Sequence, residues 1–355
     1  MSTAHETISI FKALVSTPSL SHEEAEIADR VSAYISRHKL VPQRVDNNVF
    51  VSLGTGDNCL LLNSHLDVVP PSADHPYPPF AAVEKDGCIW GRGTVDAKAS
   101  GTAMLRALLE LHAAGWEPEN GRLIVALTTH EEVGGDYNGL QTLRAHLPQL
   151  NAALVGEPTE LVPCIAQKGL LILKVIARGR TAHAARAHLG ENALYAAAAD
   201  LQRVAAFQFD RGDPHLGRPT IAATTIEGGT ARNVIPDSCT FYLDIRSTPA
   251  YTHEEIITLV ADQLQSEVHV HSKRIIPTAT DPNSNIVNAC RQALPNALPF
   301  GSPTTSDWIH LADVPTVKIG PGPSERSHTP HEHIEIESLL RGVVVYKDII
   351  KAYFS

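Results

Sequence analysis

The sequence predicts a two-part α/β protein: a mixed, mostly parallel sheet flanked by helices, interrupted by an inserted ferredoxin-like α+β domain. Three observations carry that reading. Apolar runs at residues 59–62, 123–129 and 152–155 each stop abruptly in polar residues, as buried strands of a helix-covered sheet do. Helical periodicity marks both ends of the chain. From Pro163 the texture changes to a β-α-β-β-α-β order of ferredoxin-like size. Residues 1–162 and 281–355 are therefore assigned to one domain and 163–280 to the insert, and 355 residues with 43% hydrophobic content suffice for two cores.

Ile8, Phe11, Leu14 and Val15, then Ile27, Val31, Tyr34 and Ile35, recur at helical spacing. Between them Ser21-His22-Glu23-Glu24 resembles a capping box opening the second helix. Residues 49–53 form a strand and 54–58 its turn, and the strand at 59–62 runs into Asn63-Ser64-His65-Leu66-Asp67-Val68-Val69-Pro70. A proline-rich loop at 70–79 covers that strand end. Gly91-Arg92-Gly93-Thr94-Val95-Asp96-Ala97-Lys98 precedes a helix through Met104, Leu105, Leu108, Leu109 and Leu111. The strand at 123–129 ends in His130-Glu131-Glu132-Val133-Gly134-Gly135, a loop hemmed in by glycines, and the strand at 152–155 ends in Gly156-Glu157-Pro158-Thr159. Strands at 165–177, 220–226, 240–245 and 268–274, with helices at 190–207 and 252–266, make up the insert. A helix over 286–293, a strand over 316–319, the Gly320-Pro321-Gly322-Pro323 loop and a helix over 335–353 follow.

Composition excludes several function classes. A formal charge of -10 opposes binding to nucleic acid, whose phosphates demand a basic face. No apolar stretch approaches the roughly 20 residues that span a bilayer, so no membrane partner is expected. The N-terminus lacks the basic start and apolar centre of a secretory signal, which points to a cytoplasmic protein. Five scattered cysteines without a C-x-x-C pair indicate neither a disulfide framework nor a thiolate zinc site.

The polar residues at the strand ends are imidazoles and carboxylates. His65 and Asp67 stand two apart on extended chain, so their side chains can meet, as in a metal-bound histidine steadied by a carboxylate. A strand-end histidine bonded to its neighbour is the alternative. Asp96 stands where a helix N-cap belongs, a role that favours the ionised carboxylate and does not exclude metal binding. A two-metal hydrolase needs a bridging carboxylate, terminal ligands on each ion and a free carboxylate to take a proton. His65, Asp96, Glu131, Glu132, Glu157 and one late histidine among His328, His331 and His333 hold that inventory. Ligands without sulfur suit two divalent ions, Zn²⁺ first, with Co²⁺ or Mn²⁺ as substitutes.

The segments S-H-L-D-V-V-P, G-R-G-T-V-D-A-K, T-H-E-E-V-G-G, G-E-P-T and S-H-T-P-H-E, in this order, resemble the dizinc metallopeptidase and amidohydrolase family of acetylornithine deacetylase, succinyl-diaminopimelate desuccinylase, aminoacylase and glutamate carboxypeptidase. The resemblance spans nearly the whole chain and implies a zinc-peptidase-like catalytic domain. It makes His65 and Glu157 terminal ligands of one ion, Glu132 and His328 those of the other, and Asp96 the bridge. His328 is preferred among the late histidines because a residue and a proline follow it. Glu131 becomes the general base, Asp67 the residue orienting His65, and the Asp96-Ala97 peptide is expected to be cis. Gly179-Arg180-Thr181-Ala182-His183-Ala184 and the stretch from Gly228 to Pro236 also match family segments. By that resemblance the insert forms a homodimer, His183 reaches from the partner subunit to stabilise the oxyanion, and Arg246 binds the substrate carboxylate with Asn233 nearby. The residues alone would make His183 a loop histidine, with His188 its rival, and Arg246 a partner in a surface ion pair.

The branch resembled most is that of acetylornithine deacetylase. It implies a small N-acyl amino acid as substrate, N-acetylornithine first, and a place in arginine biosynthesis. A succinyl-diaminopimelate desuccinylase, a dipeptidase or an aminoacylase would share the same catalytic residues. Asp307, in Thr304-Thr305-Ser306-Asp307-Trp308, either contacts a cationic substrate side chain or makes its own turn. A catalytically silent protein whose insert serves binding or dimerisation is the alternative from a different class.

Overall fold

A computed structural model describes residues 2–133 and 137–355. They form two compact units: the segments up to Ile165 with Thr280–Phe300 and Ser306–Ser355, and Ala166–Ala279 with Gly301–Thr305. The Gly134-Gly135 pair expected to hem in the acidic loop lies outside the described residues.

The chain begins with α1 (Thr3–Val15), α2 (Ala25–Arg37), β1 (Gln43–Val45), β2 (Asn48–Leu53) and β3 (Asn58–His65). It continues through β4 (Val83–Lys85), β5 (Cys88–Trp90), α3 (Lys98–Ala113), β6 (Gly121–Thr128), α4 (Gly139–Arg144), β7 (Ala152–Val155) and β8 (Cys164–Gln167). Next come β9 (Gly169–Arg178), β10 (Ala182–His183), α5 (Ala193–Ala206), β11 (Thr220–Gly228), β12 (Val234–Ile235), β13 (Ser238–Ser247), α6 (His253–Gln263), β14 (Glu267–Ile275) and β15 (Thr278–Ala279). The C-terminal part holds α7 (Asn285–Ala293), β16 (Phe300–Ser302), β17 (Thr316–Lys318), β18 (His333–Glu335) and α8 (Ile336–Tyr353).

The sheet of the first unit runs β1-β2-β6-β3-β7-β17, and β6, β3, β7 and β17 are parallel. Alternation explains its two buried faces. Leu60 and Leu62 of β3 join the cluster built with α1, α3, α7 and α8, while Cys59 and Leu61 join Leu140, Leu143 and Trp308 on the other side. Each fully buried leucine contributes about 2 kcal/mol of apolar transfer free energy. Parallel register sets His65 beside Thr128 and Asn63 beside Val155, so three strands open their carboxyl ends at one level. Ligands gather at such ends in open α/β sheets.

In the second unit β9, β11, β13 and β14 form an antiparallel sheet of order β11-β13-β9-β14, with α5 and α6 between strands in the ferredoxin-like sequence. Leu171, Leu173 and Val175 alternate along β9 into a core shared with Ala193, Ala197, Ile256 and Val260. A two-stranded ribbon of β10 and β12 was not foreseen.

Three local expectations are corrected. The strand expected at 165–177 is two strands, because the Lys168 amide turns away to donate to the Ser302 carbonyl at 3.1 Å. The Ser21-Glu24 box does not cap α2, whose N-cap is Glu24 without a side-chain bond. Ser21 instead donates to Asp67 Oδ2 at 2.7 Å, and the buried Glu24 accepts from the His22 amide at 3.1 Å. Nor does Asp96 cap α3, whose N-cap is Ala97. Among the described residues no helix is long and apolar enough to cross a membrane.

Candidate metal centre

His65 ends β3 and is fully buried. Its Nδ1 lies 2.9 Å from the backbone carbonyl of Asp67, which can only accept, so Nδ1 carries the proton. The Asp67 carboxylate stands farther off, at 3.5 Å. Nε2 therefore faces the site, 3.1 Å from Asp96 Oδ1 and 3.7 Å from Glu157 Oε1. Asp67 also orders the loop after β6: Oδ1 accepts from the Glu131 amide at 3.2 Å and Oδ2 from the Glu132 amide at 3.1 Å.

Asp96 lies between two imidazoles. Its Oδ1 faces His65, and its Oδ2 stands 3.3 Å from His328 Nε2. The Asp96-Ala97 peptide is cis. Glu132 Oε2 approaches His328 Nε2 at 2.9 Å. Two donor groups result, His65-Asp96-Glu157 and Asp96-Glu132-His328, in each of which the donor atoms lie within 4.8 Å of one another. They share Asp96 alone. The structure thus brings together His65, Asp96, Glu132, Glu157 and His328, with Asp67 and Glu131 alongside.

The electrostatics of this cluster suit cations. Loss of hydration, then the Asp96 charge, pushes the Glu157 carboxyl up to about 8. Glu131 is driven well above the usual range by withdrawal from water, against the pull of His65 and with the push of Glu157, Asp307 and Glu132. Asp96 and Glu132 hold the His328 imidazole up to about 10, although partial burial opposes them. Burial alone would depress His65, yet Asp67 and Asp96 outweigh it and hold the ring well above its ordinary value. Five carboxylates, Asp67, Asp96, Glu131, Glu132 and Glu157, face two imidazoles. Divalent cations that prefer oxygen and nitrogen fit both the donor set and the excess negative charge.

Residues that carry no metal hold the ligands in place, and two of them, Glu332 and Lys98, have no role in the sequence reading. Glu332 is buried, and its carboxylate accepts from the amides of Gly93, Val95 and Asp96 at 3.0, 2.9 and 3.1 Å and from Arg92 Nη1 at 2.6 Å. Gly93 needs no side chain there: its φ is +81° and a Cβ would meet Val68 Cγ1 at 2.6 Å. Lys98 is buried and donates from Nζ to the carbonyls of Leu14 and Thr17 at 3.0 and 3.1 Å, tying the end of α1 to the start of α3. Desolvation lowers its ammonium to about 7. Asp307 serves neither role foreseen for it. Its buried carboxylate accepts from Asn63 Nδ2 at 3.0 Å and Asn138 Nδ2 at 2.8 Å beneath the strand ends.

Of the rival late histidines, His331 is exposed and His333 lies in β18, stacked on Trp90 with ring centroids 4.0 Å apart. In the second unit His183 ends β10 opposite Val234 of β12, exposed, with its Nδ1 accepting from the Ala185 amide at 3.1 Å. The Asn233 carbonyl accepts from the Ala184 amide at 2.8 Å, so Asn233 borders the same ribbon. Arg246 lies on β13, a central strand, where Nε and Nη2 bond both oxygens of Asp244 at 2.9 and 3.1 Å. His188 is exposed in a 3-10 turn.

Residues 61–352 match the sequence profile described as peptidase family M20/M25/M40. The chain is 26% identical to a succinyl-diaminopimelate desuccinylase of Halorhodospira halophila, with 97% of each covered. Among solved structures it is similar in fold to the aminopeptidase PepT of Bacillus cereus, with a TM-score of 0.79 at 21% identity and 99% of each chain covered. It is also similar in fold to the YXEP protein of Bacillus subtilis, described as a dinuclear metal binding peptidase of family M20, with a TM-score of 0.74 at 14% identity and coverages of 99% and 98%.

Proposed function

Because the chain belongs to peptidase family M20/M25/M40 and is a hydrolase of linear amides, we propose that it removes the acyl group from a small N-acyl amino acid. In this reading His65 and Glu157 would hold one divalent ion and Glu132 and His328 the second, with Asp96 available to both. The single observation behind it is the sharing of Asp96, with one oxygen toward each imidazole. Zn²⁺ is the first choice and Co²⁺ the second. When bound, the ions supply Lewis-acid polarisation of the amide carbonyl and a nucleophile at neutral pH.

The chain's own residues do the rest. Glu131 is the general base: it takes a proton from the attacking water and returns it to the leaving nitrogen. Withdrawal from water holds its carboxyl above the usual range, the direction that favours handing the proton on. Asp67 fixes the Glu131 and Glu132 amides and the His65 ring. His183, from a partner subunit, donates to the developing oxyanion, a contact of the kind that contributes about 3 kcal/mol. Arg246 and Asn233 bind the substrate carboxylate, which the planar guanidinium suits.

The homodimer carries the role given to His183. It is supported by exposed apolar side chains on the second unit, Leu194, Tyr195 and Ile226, the last on the outer strand β11. A fully active monomer in sedimentation would remove that role.

For the acyl group, N-succinyl-diaminopimelate is the preferred substrate, on the strength of the desuccinylase relative. N-acetylornithine, the substrate expected from sequence, is the second reading; enclosure of Asp307 takes away one of its supports. Assaying N-succinyl-diaminopimelate, N-acetylornithine, N-acetylcitrulline and dipeptides side by side with the zinc-loaded enzyme ranks them. A kcat/KM at least tenfold higher for the succinyl substrate is the expected outcome, and preference for any other compound overturns the choice of acyl group.

A further inference from the structure

The ribbon of β4, β5 and β18 carries a second cluster of metal-ligating side chains. Cys88 of β5 stands directly opposite Glu335 of β18, and His333, two residues earlier, shares the face of Glu335. One donor atom from each of Cys88, His333 and Glu335 lies within 4.8 Å of the others. Sulfur, nitrogen and oxygen together make a donor set suited to Zn²⁺ or Co²⁺. A thiolate and a carboxylate would supply two negative charges, of which the carboxylate's is shared with the Arg326 guanidinium.

The surroundings hold these donors as outer-shell contacts hold metal ligands. His333 Nδ1 lies 2.7 Å from the His331 carbonyl and so carries the proton, which leaves the lone pair on Nε2. The ring is fixed flat against Trp90, with 21° between the planes. Arg326 Nη1 bonds both Glu335 oxygens, at 2.8 and 2.9 Å, and steadies that carboxylate. Cys88 is partly exposed, whereas the other four cysteines are buried. A thiolate site was not expected from sequence because no C-x-x-C pair exists; here the thiol and its partners come from distant segments.

We infer that Cys88, His333 and Glu335 form a separate binding site for a borderline-soft divalent cation, with its fourth position open to solvent. An ion there would join β5 to the residue that ends β18 and immediately precedes α8. Glu332, which holds the Asp96 loop, immediately precedes β18, so occupancy would also firm the segment that positions Asp96.

Titration with Co²⁺ tests this without reference to turnover. Thiolate ligation gives a charge-transfer absorption in the near ultraviolet, and the donors around Asp96 include no sulfur. Wild-type chain should develop that band at one ion per chain beyond those held around Asp96. The Cys88→Ser variant should lack the band and bind one ion fewer, and His333→Gln should weaken its Co²⁺ affinity about tenfold or more. Zn²⁺ should protect Cys88 from alkylation. Glu132→Gln, which removes a ligand from the Asp96-Glu132-His328 group alone, should keep the band; weaker binding there with the band intact separates the two sites. A wild-type titration without the band, or a Cys88→Ser variant with unchanged band and stoichiometry, overturns the inference.

Discussion

The Asp96 amide donates to Glu332 at 3.1 Å, and the two residues are 236 apart in sequence. The same carboxylate takes Arg92, so the loop that presents Asp96 is built around a buried acid. Replacing Glu332 by Ala should leave Arg92 as an unpaired buried charge and destabilise the first unit by roughly 3–5 kcal/mol. Glu332→Gln should fold but bind Zn²⁺ about 10 to 100-fold more weakly, as loss of an outer-shell partner does. Urea unfolding and competition with a chromophoric chelator check the two effects separately.

Asp67 accepts from both amides of the acidic pair and from Ser21. Asp67→Asn sets an amide nitrogen against those donors. Its kcat should fall by about 10 to 100-fold with a weaker metal affinity, while Ser21→Ala, which removes one of the three bonds, should have a far smaller effect. Steady-state kinetics on the zinc-saturated variants measure both.

Gly156 precedes Glu157 where a Cβ would meet Ser100 Cβ at 2.8 Å and Met104 Cε at 2.9 Å. Gly156→Ala should cost about 1–3 kcal/mol by overpacking and displace Glu157, lowering the metal bound per chain. Metal analysis after dialysis against a weak chelator reads the displacement.

In the second unit the Asp200 side chain is buried and accepts from the Gln265 and Ser266 amides at 3.0 and 2.9 Å and from Arg203. Burial pushes its carboxyl up, but these donors outweigh it and hold it below the usual range. A carboxyl with a depressed folded-state pKa contributes stability that is complete above its unfolded pKa and lost as pH falls through the folded one. Asp200→Ala should therefore be less stable by about 2 kcal/mol at neutral pH, and the gap should narrow on acidification below pH ~4. Chemical unfolding across that range gives the answer.

Much of the site was legible because its residues end apolar strands. His65, Glu131, Glu132 and Glu157 each follow a short apolar run that reads as a buried strand, and parallel pairing gathers such ends. Asp96 showed the limit of local reading: its N-cap position was plausible by spacing, but both its oxygens point at imidazoles contributed by distant segments. Ser21 failed as a cap for the same reason, since distant Asp67 engages it, while Glu24 turns back to the His22 amide instead. Glu332, Lys98 and Asp307 act through backbone amides, carbonyls and asparagines far away in sequence, and no local pattern marks those partners. The ferredoxin-like order could be read from periodicity, whereas the short β10–β12 ribbon, two residues a side, leaves no periodic trace.

The most direct test of the proposed chemistry is the turnover of Glu131→Gln with its metal sites saturated. Both ions should remain bound and amide hydrolysis should fall by about 100-fold or more, the contribution of a positioned proton carrier. Turnover near the wild-type rate with both ions in place would contradict the assignment of Glu131 as the base.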